Sequence, residues 1–307
     1  MRRYALKRLL ALIPTFLLIV VLSFCIIRLA PGSPFTAERA ISVELRQALE
    51  TRYGFDQPLP VQLGRYLTRL LLHGDLGLST KYPQRSVNSI LAAGLPHTLC
   101  LGLAALAWAL TLGLGAGIVA AQQHHRRADR WAMGLAMLGL STPTFVLGPL
   151  LVLIFALQLG WLPAAGWGSW RHLVLPAITL GTVYAAAIAR LTRAGLLEVM
   201  GADFVRTARA KGLPEGLILR RHVLRAGLLP TLTYLGPASA GLLVGSVVVE
   251  KIFNIPGIGP YFVDAAFNRD YFLVMGVVVL ESGLLLLLNL AVDLAYGWLD
   301  PRIRLQP

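Results

Sequence analysis

The sequence is poor in charge. Of 307 residues only 14% are Asp, Glu, Lys or Arg, while 56% are hydrophobic. A soluble domain carries about 25% charged residues. The shortfall excludes a pair of ordinary soluble domains and points to a chain that crosses a membrane repeatedly. Cysteine is nearly missing. Cys25 and Cys100 both lie in apolar runs without CxxC spacing, so a disulfide framework and a metal site are not expected, and both read as packing residues. Neither a zinc-spaced Cys/His cluster nor HExxH occurs, and no metal or cofactor is expected in this chain. Lysine is scarce too. Lys7, Lys81, Lys211 and Lys251 are the whole set, and none follows glycine. That excludes GxxxxGK[ST], whose backbone cradles nucleotide phosphates. The net charge of +13 does not call for a nucleic-acid partner, because Lys and Arg collect in the cytoplasmic loops of membrane proteins.

What is abundant is long apolar sequence. The start, MRRYALKRLL, has the look of a signal-peptide n-region. The uncharged run Leu9–Ile27 is 19 residues, longer than the roughly 7–15 of a secretory h-region. Its small-residue exit, Ala30, is followed by Pro31, so a retained first span is expected. About 20 apolar residues cross a bilayer. The expected spans are Leu9–Leu29, Pro96–Ala121, Trp131–Gln158, Leu173–Arg193, Leu228–Val249 and Phe272–Trp298. Trp131, Trp161, Trp167, Trp170 and Trp298 flank these runs as an interfacial belt should, and Trp108 sits mid-span.

Basic residues set the orientation. Seventeen of the 28 Lys and Arg residues fall on the side of the two termini and of loops 122–130 and 194–227. The short loops of the other side hold only Arg171, Lys251 and Arg269. Both termini are therefore expected in the cytoplasm. The segment 30–95 becomes a long extracytoplasmic loop with two helical patterns. Ser42 is a candidate cap for the first. The second runs from Pro60 with Leu63, Tyr66, Leu67, Leu70 and Leu71 on one face.

Small residues recur every fourth position in span two (Ala105, Ala109, Gly113, Gly117, Ala121), in span four (Gly181, Ala185, Ala189) and in span five (Gly241, Gly245). Such faces let helix backbones approach closely. Packing within the chain and packing against a second membrane subunit both remain open. Charge inside a span is costly and marks function. Glu281 reads as lining a path or pairing with a partner. Asp293, four residues after Asn289, reads as a polar anchor nearer the cytoplasmic end.

The loop 194–227 is punctuated. Asp203 is positioned to cap a helix that carries Phe204, Arg206, Ala208, Arg209 and Lys211. Gly212 supplies a left-handed stop, and Pro214 prevents continuation. A second helix is expected over about Glu215–Ala226. Phe204 and Ala208, four apart, would share a docking face, with Arg206, Arg209 and Lys211 at its rim.

Here the residues resemble a family. R206-T207-A208-R209-A210-K211-G212 is similar to the coupling loop of ABC-importer membrane subunits, E-A-A-x3-G followed after x9 by I-x-L-P. It fits at Ala208 and Gly212. It departs at Arg206 and Thr207, and Leu229-Pro230 comes late. RTARAKGL is the form of the peptide/nickel branch. RLAPGSPFTAER (28–39), HGDLG (73–77), IFNIPGIGPYFVDA (252–265), NRDY (268–271) and DPRIR (300–304) belong to the same resemblance, which covers nearly the whole chain. Pro31-Gly32-Ser33-Pro34, where many dipeptide and nickel relatives read P-G-D-P, favours an oligopeptide importer over one for dipeptides, nickel or peptide antibiotics.

The resemblance implies an all-α integral membrane protein: a single permease domain, 1–307, in the inner membrane of a bacterium. It implies a homologous second permease subunit, two ATPases that bind ATP and Mg, and an extracytoplasmic peptide-binding protein. It also places Pro256, Gly257 and Gly259 at the outer mouth, where they would form a tight turn. On this reading the chain is not itself an enzyme. An ion-coupled carrier using Glu281 and Asp293 is the alternative, against which stand the lack of an internal repeat and the punctuated cytoplasmic helix. No spacing assembles a nucleophile with a base for an intramembrane enzyme.

Overall fold

In lipid a backbone cannot bond to water, so a long apolar run has one stable local form, the helix. The computed structural model describes residues 2–29, 43–82, 84–245 and 247–299. Among them the regular structure is helical, with one isolated bridge between Leu78 and Ser86. Ser42, most of 28–39 and 300–304 lie outside the described residues. Among the described residues five helical stretches are long and apolar enough to cross a membrane: Arg8–Leu29, Val87–Gln122, Trp170–Met200, Leu229–Ile252 and Tyr271–Val292. They belong to α1 (Arg2–Leu29), α4 (Val87–Gln122), α7 (Trp170–Met200), the pair α11 (Leu229–Val244) and α12 (Val247–Ile252), and α14 (Tyr271–Leu299).

The expected third span is not one helix. α5 (Arg127–Ser141) and α6 (Thr144–Leu151), the latter continued by a wide π-turn to Gln158, meet at a 110° bend. Pro143 is the cause. It lacks an N–H and forces the residue before it out of the helical region, and Thr142 sits at φ −89°, ψ 116°. Of the six expected crossings five are single helices, and the count reaches six where the bent pair makes one span.

The chain divides into two compact units. The first comprises residues 1–97 and 257–290. Here α1, α3 (Leu59–Thr68), the start of α4, α13 (Ile258–Phe267) and most of α14 enclose a core that includes Val20, Phe24, Tyr66, Ile90, Ile258, Leu273 and Val277, and Tyr53 of α2 (Val43–Tyr53) rests against Phe272 at its edge. Leu63, Leu67 and Leu70 pack against that core beside Tyr66, as the spacing predicts. Leu71 does not, and is 58% exposed. The helix widens into a π-turn at Arg69–His73, which rotates Leu71 off the stripe.

The second unit comprises 98–256 and 291–307, and α7 is its axis. Ala105, Ala109, Gly113, Gly117 and Ala121 are all buried. A Cβ on Gly113 would lie 2.8 Å from the Ala185 carbonyl oxygen, and one on Gly117 would lie 2.7 Å from that of Ala189. The stripe of α4 therefore faces the matching stripe of α7, and packing within the chain occupies it. Cys25 and Cys100 are free but exposed. They are not core packing residues. An apolar helix surface accommodates an exposed thiol, so the hydrophobic setting did not imply burial within the chain.

Candidate functional site: a capped helix built onto two spans

Between α7 and α11 the chain forms α8 (Asp203–Ala210), α9 (Glu215–Ile218), a π-turn Leu219–Val223 and α10 (Leu224–Gly227). The stop after α8 is a Schellman motif. Gly212 N donates to Arg209 O at 2.9 Å and Leu213 N to Ala208 O at 3.3 Å. Gly212 takes φ +75° with open space where a side chain would go. A glycine suits that left-handed position because any Cβ is strained there. Leu213 then packs back against the cluster beneath α8.

The N-terminus differs from expectation. Ala202, in extended conformation, is the capping residue, and it makes no side-chain cap bond. Asp203 is already the first helical residue. Its carboxylate is almost fully exposed and lies 3.4 Å from Arg206, where it opposes the positive helix end without capping it.

The two faces of α8 are also resolved. Val205 and Ala208 are buried and cluster with Ala121 of α4, Leu196 of α7, and Ile218 and Val223 of the following helices. Phe204 is 49% exposed. Phe204 and Ala208 therefore do not share a docking face: Ala208 looks inward beside Val205, and Phe204 looks out. Arg209 is not a free rim charge either. Its guanidinium grips Glu215 in a fork, Nε to Oε1 at 2.7 Å and Nη2 to Oε2 at 3.2 Å. Those bonds hold the Glu215 carboxyl below its ordinary range and push the Arg209 guanidinium above its own. Arg206 and Lys211 remain exposed.

α10 is pressed onto α7. A Cβ on Gly195 would lie 2.2 Å from the Gly227 carbonyl oxygen. The buried hydroxyls of Thr192 and Thr231 meet at 3.0 Å.

The segment expected to form a tight turn has a different geometry. The left-handed residue is Asn254, at φ +50°. Pro256 is exposed, while Gly257 and Gly259 are buried at the start of α13, with Gly257 extended at φ −86°. A Cβ on Gly94 of α4 would lie 3.0 Å from the Gly257 carbonyl, so the glycine at 94 lets the backbone of α4 come close to this segment. Glu281 and Asn289 are half-buried on α14. The side chain of Asp293 lies outside the described residues.

Two polar ties escaped the sequence reading. Asp129 of α5 is 4% exposed. It accepts from Arg193 Nε at 2.7 Å, Arg193 Nη2 at 2.8 Å and the His125 N–H at 3.1 Å. In the other unit Asp270 is fully buried. It accepts from the Ser79 hydroxyl, the Lys81 N–H at 3.3 Å and the Leu273 N–H at 3.2 Å, capping α14. The sequence signal for each was a lone carboxylate: one within a basic loop, the other directly before an apolar run.

These features define an all-helical membrane component with several apolar spans, in which a short helix is fixed onto two of them. The chain belongs to the family of binding-protein-dependent transport system inner membrane components, which it matches over residues 113–305. It is 45% identical to the oligopeptide transport system permease protein OppB of Salmonella typhimurium, over 99% of this chain and 100% of that one. It is 44% identical to the dipeptide transport system permease protein DppB of Bacillus subtilis, over 99% of both. Among solved structures it resembles the MetNI methionine ABC transporter. That match has a TM-score of 0.56 at 18% identity and covers 69% of this chain and 97% of that one, a likeness of fold.

Proposed function

We propose that the chain is the permease subunit of an ATP-driven importer of oligopeptides in a bacterial inner membrane, with both termini in the cytoplasm. ATP and Mg are bound by two partner ATPases. A homologous permease completes the path, and an extracytoplasmic binding protein delivers the peptide. The observation that carries this reading is the construction of α8. Its inner face is built into α4 and α7 while Phe204 stays outside. A push on Phe204 from a partner therefore reaches two spans without an intervening flexible joint. Arg206 and Lys211 stay available at the rim, and Asp203 and Arg209 serve the local structure. Pro256, Gly257 and Gly259 help to close the outer mouth, and Glu281 and Asn289 line the path or meet the second permease. The oligopeptide assignment is supported by the identity to OppB over the full length.

The test is reconstitution with the partner subunits and uptake of labelled di-, tri- and pentapeptides. Phe204→Ala is expected to lower ATPase co-purification and uptake together, and more than Arg209→Ala, whose exposed pair contributes little. Normal co-purification in Phe204→Ala would remove α8 as the docking element. Cysteines placed at Arg126 and Thr80 should label from opposite sides of the membrane.

A further inference from the structure

The end of α1, α2 and α3 enclose a cavity of about 130 Å³ that the transport reading does not use. Its wall carries Arg28, Arg52, Arg65 and Arg69 against a single carboxylate, Asp75. None of the four arginines forms an ion pair among the described residues. The Arg28 guanidinium lies 4.1 Å from the ring centre of Phe55 and 5.1 Å from that of Tyr271. Aromatic faces fix its plane and leave its N–H fork unused.

Two further wall groups lack partners among the described residues. Tyr66 is 5% exposed, and its hydroxyl makes no hydrogen bond. Gln62 donates through Nε2 to the carbonyls of Gln57 at 2.7 Å and Phe55 at 3.3 Å, which leaves its buried Oε1 without a donor. Buried polar atoms are normally paired. The cavity therefore presents cations and a hydroxyl suited to an anion, and beside them an acceptor that needs a donor.

The depth of the site points to the source of that anion. The apolar stretch Arg8–Leu29 has 22 residues. At about 1.5 Å per residue it spans the roughly 30 Å hydrocarbon layer, so Arg28, in its last turn, stands at headgroup level. Leu71 and Leu72, just past Arg69, are exposed apolar side chains that acyl chains would cover. We propose that this cavity binds the phosphodiester of a phospholipid whose headgroup carries a hydrogen-bond donor. The phosphate takes the arginine forks and the Tyr66 hydroxyl. The headgroup hydroxyl or ammonium donates to Gln62 Oε1.

The experiment uses the full chain purified with its partner subunits. Phosphatidylglycerol, phosphatidylethanolamine, phosphatidylcholine and inorganic phosphate are added separately, and the thermal midpoint and lipid retention by native mass spectrometry are read. The first two lipids should raise the midpoint and stay bound. Phosphatidylcholine, which has no donor, and phosphate, which has no acyl chains, should not. Arg65→Gln with Arg69→Gln, both exposed residues, should weaken phosphatidylglycerol retention about tenfold, the size set by losing two charge-assisted contacts. Tyr66→Phe should weaken it several-fold while the midpoint without lipid holds. An equal shift with phosphatidylcholine, a shift with phosphate alone, or unchanged retention in both variants would overturn the proposal.

Discussion

Asp270 and Asp129 are both buried carboxylates, and they are satisfied by opposite means. Asp270 is held by neutral donors, namely the Ser79 hydroxyl and the N–H groups of Lys81 and Leu273. One of these belongs to the first turn of α14, so the residue is a helix cap as well as a loop anchor. Asp129 is held chiefly by a cation, the two-pronged Arg193 reaching from α7, with His124 at 3.5 Å. A carboxylate taken from water must recover its solvation. Backbone donors do so only when a loop has the right shape, so the Asp270 tie fixes the loop at Ser79 and Lys81. A guanidinium does so wherever it can reach, so the Asp129 tie joins two helices through side chains alone.

The largest expected effects come from truncation. Asp129→Ala leaves Arg193 without its counter-charge. Breaking a buried pair costs roughly 3–5 kcal/mol, and because Arg193 is 26% exposed the lower end is expected. Asp270→Ala loses a cap and strands the Ser79 hydroxyl, a loss of about 2 kcal/mol. Thermal unfolding of the purified variants measures both. The double variant Asp129→Ala with Arg193→Ala should recover part of the loss, because no unpaired charge remains. Equal losses at the two sites and no recovery would erase the distinction.

A subtler exchange sharpens it. Asn keeps a cap acceptor but carries no charge. Asp270→Asn should cost about 1 kcal/mol, because one neutral contact is disturbed and the cap survives. Asp129→Asn should cost about 2 kcal/mol, because the fork loses its charged partner. The reverse order in unfolding midpoints would mean that charge at Asp270 matters beyond capping.

The spans were legible because their signal is additive: apolar residues over sufficient length. The break at Pro143 was not, since two apolar runs on either side of it sum to the same signal as one. The stripe of Gly113 and Gly117 announced a close face but not its partner, which is settled only by the position of Ala185 and Ala189 in space. Gly212 was legible because its requirement is local, a left-handed residue after a helix. Asp203 as a cap failed on a one-residue shift, and the partition of Phe204 from Ala208 depended on which side of α8 meets Leu196. The Asp270 tie joins residues 191 apart in the chain. No periodicity announces such a pairing.

The smallest expected effect compares two glycines, one in the loop held by Asp270 and one closing α8. Gly77 takes φ +94°, and a Cβ there would lie 2.9 Å from the Phe272 ring. Gly212 takes φ +75° with nothing within 4 Å. Gly77 is therefore constrained by conformation and by space, Gly212 by conformation alone. Every substitution at Gly77 should lower the unfolding midpoint, Asn included, since the ring must move. At Gly212 the outcome should depend on the side chain. Val resists the left-handed region and should cost about 1–2 kcal/mol, fraying the last turn of α8. Asn visits that region readily and should leave the midpoint nearly unchanged. Uptake should follow the same order, with Gly212→Val impaired and Gly212→Asn close to the parent. If Gly212→Asn folds normally yet abolishes uptake, the position is not merely a helix stop. The open space over Gly212 would then be where a partner's surface sits, and any side chain, whatever its backbone preference, would block it.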